Sequence, residues 1–446
     1  MKNTNESSPE SQLNRRGFLK TTSAAVAGTA ILGGLSIERS AFAAPDDTLK
    51  IALIGCGGRG SGAADQALNA AGKAKLVAMA DVFPNHLKGS LGNLKNQHPD
   101  GVDVPEDHQF VGFDAYKKAI SLADVVILAT PPGFRPIHFE EAVAQGKHVF
   151  MEKPVAVDAP GVRRVLAAAE SAKQKNLKVA VGLQRHHQTS YIETMQRLHD
   201  GAIGDIDSMR CYWNGSRPWM HPRKPGASEM EFQLDNWYYF TWLCGDHILE
   251  QHIHNIDVIN WMKQSYPVRA IGMGGCQAPR TSNEGEIFDH HAVQFEYADG
   301  SRCSSECRHI KGCWDSVSEH AVGTLGSVDM ADGGSFVIKG KNAWQFKGPR
   351  EEPPWQMEHY PFFEAIRNNK PYNEAEYGAK STMTAILGRM CTYSGKQITW
   401  ERAFNSKLVL APDKFAWDAQ PKPQVGKDGL YPMPIPGDPS WLDKIM

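Results

Sequence analysis

The sequence predicts an α/β fold whose amino-terminal half is a doubly wound parallel sheet, and three observations predict it. An apolar run, Leu49-Lys50-Ile51-Ala52-Leu53-Ile54, passes at once into Gly55-Cys56-Gly57-Gly58-Arg59-Gly60 and then into a helical stretch over residues 61–71. A second apolar run, residues 75–80, ends in an acid, Asp81. Two further apolar runs, residues 123–129 and 148–151, flank a helical segment over residues 138–145.

The 446 residues exceed one ordinary domain and fit two to three. Apolar residues make up 41% and charged residues 22%, as in a globular chain with a real core. The net charge is −2 with no long run of one sign, which gives no electrostatic case for nucleic acid or an anionic membrane surface.

Residues 1–43 differ in kind from the rest. Asn14-Arg15-Arg16-Gly17-Phe18-Leu19-Lys20 leads into a mild Ala/Gly-rich run over residues 21–36 and then Ala41-Phe42-Ala43. A basic start, an apolar stretch and a small-x-small cleavage site make a signal peptide. The alternatives are a general secretory signal or a chance basic pair. The weakly apolar run and the complete Arg-Arg-x-Phe-Leu-Lys motif favour a twin-arginine signal, hence the twin-arginine export machinery as partner and a periplasmic or otherwise exported location. The run is too short and too glycine-rich to span a bilayer, and no later segment is long enough.

Eight cysteines (56, 211, 244, 276, 303, 307, 313 and 391) show no Cys-x-x-Cys spacing. They read mainly as small buried hydrophobes, with Cys303 and Cys307 a weak disulfide candidate.

The first domain is placed at residues 47–170. Gly-x-Gly-x-x-Gly stands in the strand–turn–helix setting that a dinucleotide-binding Rossmann fold requires. Gly55 permits the tight turn, Gly57 lets a pyrophosphate approach the backbone, and Gly60 lets helix pack on strand. The helix start then faces the phosphates. An acid about twenty residues beyond the glycines accepts hydrogen bonds from the adenosine ribose, so Asp81 favours NAD over NADP. The strand over residues 123–129 breaks at Thr130-Pro131-Pro132, and the strand over residues 148–151 delivers Glu152-Lys153-Pro154. Ligands bind at such carboxyl ends. The candidate cofactor-binding set is Gly55, Gly57, Gly58, Arg59, Gly60, Asp81, Thr130, Pro131, Glu152 and Lys153.

The second cluster of chemistry is Gly245-Asp246-His247-Ile248-Leu249-Glu250-Gln251-His252-Ile253-His254-Asn255-Ile256-Asp257. At helical pitch Leu249, Ile253 and Ile256 share one face, and Glu250, His254, Asp257 and Trp261 share another. A neutral imidazole suits removal of a hydroxyl proton, so His254 is the candidate general base and Glu250 its partner or a substrate ligand. His247, Glu250 and His254 could instead hold a metal, with Asp289-His290-His291 adding ligands. No His-Glu-x-x-His is present, and the assignment is no metal. The aromatics Tyr212, Trp213, Trp219, Trp237, Tyr238, Tyr239 and Trp242 precede this segment, and such rings serve either sugar stacking or core packing.

The glycine motif, Asp81, Ala-Thr-Pro-Pro and Glu152-Lys153-Pro154 together resemble the Gfo/Idh/MocA oxidoreductases, a family that includes glucose-fructose oxidoreductase and inositol dehydrogenase. The resemblance continues through Gly182-Leu183-Gln184-Arg185, Gly201-Ala202-Ile203-Gly204, Gly245 to Asp257 and Val322-Gly323-Thr324-Leu325-Gly326-Ser327 to the helix near Phe362. It covers nearly all of the chain beyond the signal. It implies a second, α+β domain over residues 171–400, with an open, mostly antiparallel sheet that commonly forms an oligomer interface, hence a homo-oligomer (dimer or tetramer). The runs at 268–273, 291–297 and 335–339 are strand-like. The resemblance also places Lys153 beside the nicotinamide and the reacting hydroxyl, where its charge stabilises a developing alkoxide. Arg185, Trp237, Tyr238 and Asp257 are the candidate substrate ligands. Glu250 departs from the family's usual aspartate, and His252 replaces a small residue. Residues 401–446, rich in proline, read as an extended arm over this subunit or a neighbour.

The function expected is hydride transfer between a tightly bound nicotinamide cofactor and a secondary hydroxyl of a sugar or polyol. One alternative is a glycosidase that oxidises, eliminates, adds water and reduces again. Another is a non-catalytic sugar-binding protein on the same fold.

Overall fold

The computed structural model describes residues 48–440 apart from 282, 332–333 and 350, so the expected signal peptide, with Arg15, Arg16 and Ala41-Phe42-Ala43, lies outside the described residues. Its first sheet has six strands: β1 (Leu49–Ile54), β2 (Ala74–Asp81), β3 (Gln109–Val111), β4 (Val125–Leu128), β5 (His148–Met151) and β6 (Val179–Val181). The order is β3-β2-β1-β4-β5-β6 and every pairing is parallel. Parallel strands covered on both faces read as continuous apolar runs. Accordingly Val125, Val126, Ile127 and Leu128 are all fully buried. Strand order reverses between β1 and β4, so the carboxyl ends of these two strands form the crevice where such sheets bind ligands. β6 adds to this sheet beyond the 170 boundary, because Val149, Phe150 and Met151 pair with Val179, Ala180 and Val181.

Nine strands form the second sheet: β7 (Ile206–Gly215), β8 (Arg269–Gly275), β9 (His290–Glu296), β10 (Arg302–His309), β11 (Ser316–Gly323), β12 (Gly326–Ala331), β13 (Phe336–Gly340), β14 (Trp344–Gln345) and β15 (Ile398–Thr399). Their order is β14-β13-β12-β11-β7-β10-β9-β8-β15. All pairings are antiparallel except β7 with β10. Burial alternates along β10, so one face packs on the core and the other stays open. The buried helix Ala375–Ser394 packs on β8 and β9 and also on the first domain's helix Ala159–Gln174.

The described cysteines are all free, and six of the eight are buried. Cys303 and Cys307 stand four residues apart on β10, roughly 13 Å along an extended strand. A disulfide needs Cα atoms within about 7 Å, so these two cannot pair. Among the described residues no helix is long and apolar enough to cross a membrane.

Candidate active site

A cavity of about 870 Å³ opens along the carboxyl ends of β1, β2, β4 and β5 and is walled on its far side by the segment around Trp237 and Glu250. Gly55 ends β1 with φ +92°, and a side chain there would put Cβ 2.6 Å from the Thr130 nitrogen. At Gly60 a Cβ would lie 1.9 Å from the Gly55 carbonyl oxygen, so helix and strand touch through backbone alone. Gly57 and Gly58 differ from both: a Cβ at either would meet nothing within 4 Å. The helix Gly58–Ala70 starts there with no side-chain cap, leaving its first N–H groups for a ligand. This bare, positive helix start above an open backbone fits a dinucleotide pyrophosphate.

Asp81 ends β2. Its Oδ2 accepts the Cys56 N–H at 2.7 Å and its Oδ1 the Phe83 N–H at 2.8 Å. Burial pushes its carboxyl above the ordinary value, against the pull of those donors and of His86. Arg59 and Glu152 meet each other, with Nε donating to Oε1 at 2.5 Å. Thr130 and Pro131 line the cavity beside them. Arg135, which the motifs do not flag, pins this floor. Fully buried, it donates to the carbonyls of Leu128 (2.7 Å), Thr130 (2.6 Å) and Glu152 (3.0 Å).

Two histidines of this domain are kept neutral. Burial, then the charge of Arg135, pushes His138 from 6.5 down to about 3. Burial, then Lys178, pushes His148 down to about 4, and its Nδ1 accepts the Lys178 N–H at 2.9 Å. Unfolding returns both to an ordinary imidazole. Their contribution to stability is therefore whole above about pH 6.5 and is lost as pH falls toward 4. The melting temperature is expected to drop between pH 7 and pH 5 in thermal scans. A flat profile over that range would count against these neutral histidines.

Lys153 follows β5 and reaches across the cavity. Its Nζ donates to Glu250 Oε1 at 2.9 Å and to the Glu250 carbonyl, with both side chains 14% exposed. Burial raises the Glu250 carboxyl above its ordinary value, and the charge of Lys153 opposes the rise.

The single helix expected over this segment is broken. One turn, His247–Glu250, is followed by a separate helix, Ile253–Lys263. The His252 N–H reaches back five residues to the His247 carbonyl at 3.1 Å, and its imidazole Nε2 lies 2.7 Å from Ser305 Oγ on β10. Anchoring His252 in the core turns the chain out of register. Glu250 and its neighbour Gln251 consequently both line the cavity.

The break also divides the predicted polar face. Asp257 and Trp261 line a second cavity, of about 530 Å³, on the other side. There Asp257 accepts from Ser381 Oγ at 2.7 Å and pairs with His186 Nε2 at 2.7 Å. His254 does not line the large cavity. Its ring stacks at 5.9 Å on Trp213, which does. Burial, then the charges of Lys153 and Arg185, hold its pKa well below the ordinary value, so the ring is neutral. Arg185 is buried against Glu319 and Tyr191. Tyr238 is buried with its hydroxyl 3.4 Å from His309. Of the four predicted substrate ligands only Trp237 lines the cavity, because the other three find polar partners inside the second domain.

Sequence reasoning missed Gln251, whose Oε1 is held by His309 Nε2 at 3.0 Å, leaving its amide N–H groups to donate. A continuous helix would turn it a quarter turn away from Glu250, so no local signal marks it. Asp246, His247 and His291 come within 4.8 Å of one another. The Asp246 carboxylate, however, already takes donors from the His247 N–H (2.5 Å), the Phe288 N–H (3.1 Å) and the Tyr393 hydroxyl (2.5 Å). This set reads as a buried hydrogen-bond node.

Residues 49–182 match the "Oxidoreductase family, NAD-binding Rossmann fold" profile, and residues 191–329 match the "GFO/IDH/MocA C-terminal domain" profile. The chain is 31% identical to inositol 2-dehydrogenase of Ralstonia nicotianae over 263 residues, 58% of this chain and 67% of that protein. It is 23% identical to the Rhizobium meliloti inositol 2-dehydrogenase over 63% of this chain and 75% of that protein. Among solved structures it resembles the aldose-aldose oxidoreductase of Caulobacter crescentus complexed with glycerol, with TM-score 0.64 and 17% identity, over 79% of this chain and 100% of that one. It also resembles a levoglucosan dehydrogenase complexed with NADH and levoglucosan, with TM-score 0.63 and 17% identity, over 79% and 99% of the two chains. A bare helix start at the strand-order reversal, an acid ending β2, a lysine ending β5 and two matching profiles agree: the chain belongs to the Gfo/Idh/MocA oxidoreductase family.

Proposed function

We propose that this protein is exported with NAD already bound, and that it moves hydride between that NAD and a secondary hydroxyl of a sugar or polyol. The observation that carries the reading is the Lys153–Glu250 pair, set in the same cavity as Asp81 and the glycine turn. Bound NAD supplies the hydride acceptor and donor. Lys153 orients the hydroxyl oxygen and stabilises the negative charge that grows on it as its proton leaves. Glu250 holds Lys153, and its raised carboxyl pKa suits it to take and return that proton. Gln251, Trp213 and Trp237 offer amide donors and aromatic faces to a polyol ring. His254 stands behind Trp213 and orders that wall. The neighbouring basic group at Asp81 is His86, 3.8 Å away, with no lysine or arginine following Asp81 directly, which favours NAD over NADP.

The inositol dehydrogenase relatives support the polyol class, and the Arg15-Arg16 motif supports export. Outside the cytoplasm no exchangeable NAD pool is at hand, so the cofactor must return to its starting redox state in each cycle. The raised Glu250 carboxyl favours one second reading, a redox glycosidase in which Glu250 protonates the departing anomeric oxygen. The test is a screen of inositols, aldoses and glycosides on purified protein with no cofactor added, with mass spectrometry of the released dinucleotide. Multiple turnovers and NAD are expected. Product that tracks added NAD one for one, or a 2′-phosphorylated cofactor, would sink the corresponding part.

A further inference from the structure

The carboxyl-terminal arm lies beyond both matched profiles and takes no part in the chemistry above. It is first tied to the Rossmann domain: Arg163 donates to the carbonyls of Phe404 and Ser406, the latter at 3.0 Å, and the Leu410 N–H donates to Asp158 at 2.9 Å. The arm then lays two rings on the outside of the cavity wall. Phe415 lies 4.9 Å from Phe134 and 6.5 Å from Phe113. Trp417 lies 5.1 Å from Phe113 and 5.6 Å from Phe83. Phe83, Phe113 and Phe134 line the cavity, and Phe83 gives its N–H to Asp81. Asp81 marks the adenosine end of a dinucleotide site. Farther on, the arm is fixed to the opposite wall. The Pro423 carbonyl accepts from Gln233 at 2.8 Å, next to the cavity residues Leu234 and Asp235, and the Tyr431 hydroxyl accepts from Arg223 at 2.7 Å. One continuous segment therefore joins both sides of the cleft.

We propose that this arm is a strap that retains the cofactor. Phe415 and Trp417 hold Phe83 and Phe113 in position as the adenine pocket, and the dinucleotide leaves only when the arm lifts. The two ends are fixed, by Arg163 and by the fully buried Tyr431, whereas the stretch between suits a strap: Leu410 and Pro423 each make one hydrogen bond, and Trp417 remains 40% exposed rather than sealed in a core. The inference rests on the proposed retained, recycled NAD, and it names the device that makes retention work.

The experiment compares NADH release from the native full-length chain with release from Trp417→Ala and from a Phe415→Ala/Trp417→Ala double variant. Release is followed by loss of nicotinamide fluorescence on dilution into excess NAD. A rise of roughly 10- to 100-fold is expected for the double variant, the loss of two aromatic contacts, with Trp417→Phe restoring slow release. Thermal unfolding of the same samples checks that they fold. Should the double variant fail that check, Trp417→Ala alone carries the comparison, because its ring is partly exposed. Release rates equal to the native rate overturn the strap. A native release rate faster than turnover overturns the retention reading instead, and the ratio of variant to native rate still decides on the strap.

Discussion

Replacing Lys153 by alanine is expected to lower turnover by roughly two to four orders of magnitude while NADH still binds. The two effects separate because the residues serving them come from different strand ends. Binding is set by the β1 turn and Asp81, and neither touches the Lys153 ammonium. That ammonium is aimed by two oxygens of Glu250, the carbonyl and the Oε1 at 2.9 Å. Its side chain is only 14% exposed, so its charge is screened less than that of a surface lysine and acts more strongly on a developing alkoxide. Removing it also strips Glu250 of the charge that opposes its rising pKa, so the carboxyl is neutral over more of the pH range. Steady-state turnover against NADH titration by fluorescence measures both. Near-native turnover in the variant would refute the assignment.

Gly57→Val is the second large effect, and it runs the other way: folding intact, cofactor lost. A Cβ at Gly57 meets nothing within 4 Å, so the native fold accommodates the side chain. The backbone there is extended, with φ −69° and ψ −176°, which valine adopts readily. Yet the isopropyl group fills the space above the start of the Gly58–Ala70 helix, where the pyrophosphate must come close to bare N–H groups. NAD affinity is expected to fall by at least about 100-fold, with the melting temperature of the cofactor-free protein unchanged. Retained NAD affinity would show that the phosphates lie elsewhere. A large fall in melting temperature would show that the cavity is not open at this point.

The first domain was legible because its signals are local. Strand, glycine turn, helix and Asp81 follow one another within about thirty residues, and each glycine has a steric reason that the structure makes explicit. The second domain was legible mainly through resemblance, since its strand runs fix neither order nor partner. The detail of the site was less legible. Whether residues 245–257 form one helix depends on Ser305, a side chain on β10 that captures His252. Helical periodicity cannot register that contact, so it grouped Asp257 with Glu250 and overlooked Gln251. Arg185 reads as a site residue because it stands at a motif position, and Tyr238 because it belongs to an aromatic run suited to sugar stacking. Their partners, Glu319 and His309, come from strands remote in sequence.

Strand β7 has a consequence for how the chain comes into being. It lies near the middle of the nine-stranded sheet, yet both of its neighbours are made later: Ser208 waits for Arg302 on β10 and for Val322 on β11. As the polypeptide leaves the ribosome, β7 therefore emerges with two open hydrogen-bonding edges and an apolar face around Met209 and Cys211. Such edges invite pairing with other chains, and closing the long intervening loop is slow. The β10 edge closes only once translation has passed His309, and the β11 edge only once it has passed Gly323. From Gly215 to Gly323 the nascent protein thus carries at least one open edge of β7. The exposed edge is a liability of the unfinished chain that the closed sheet no longer carries.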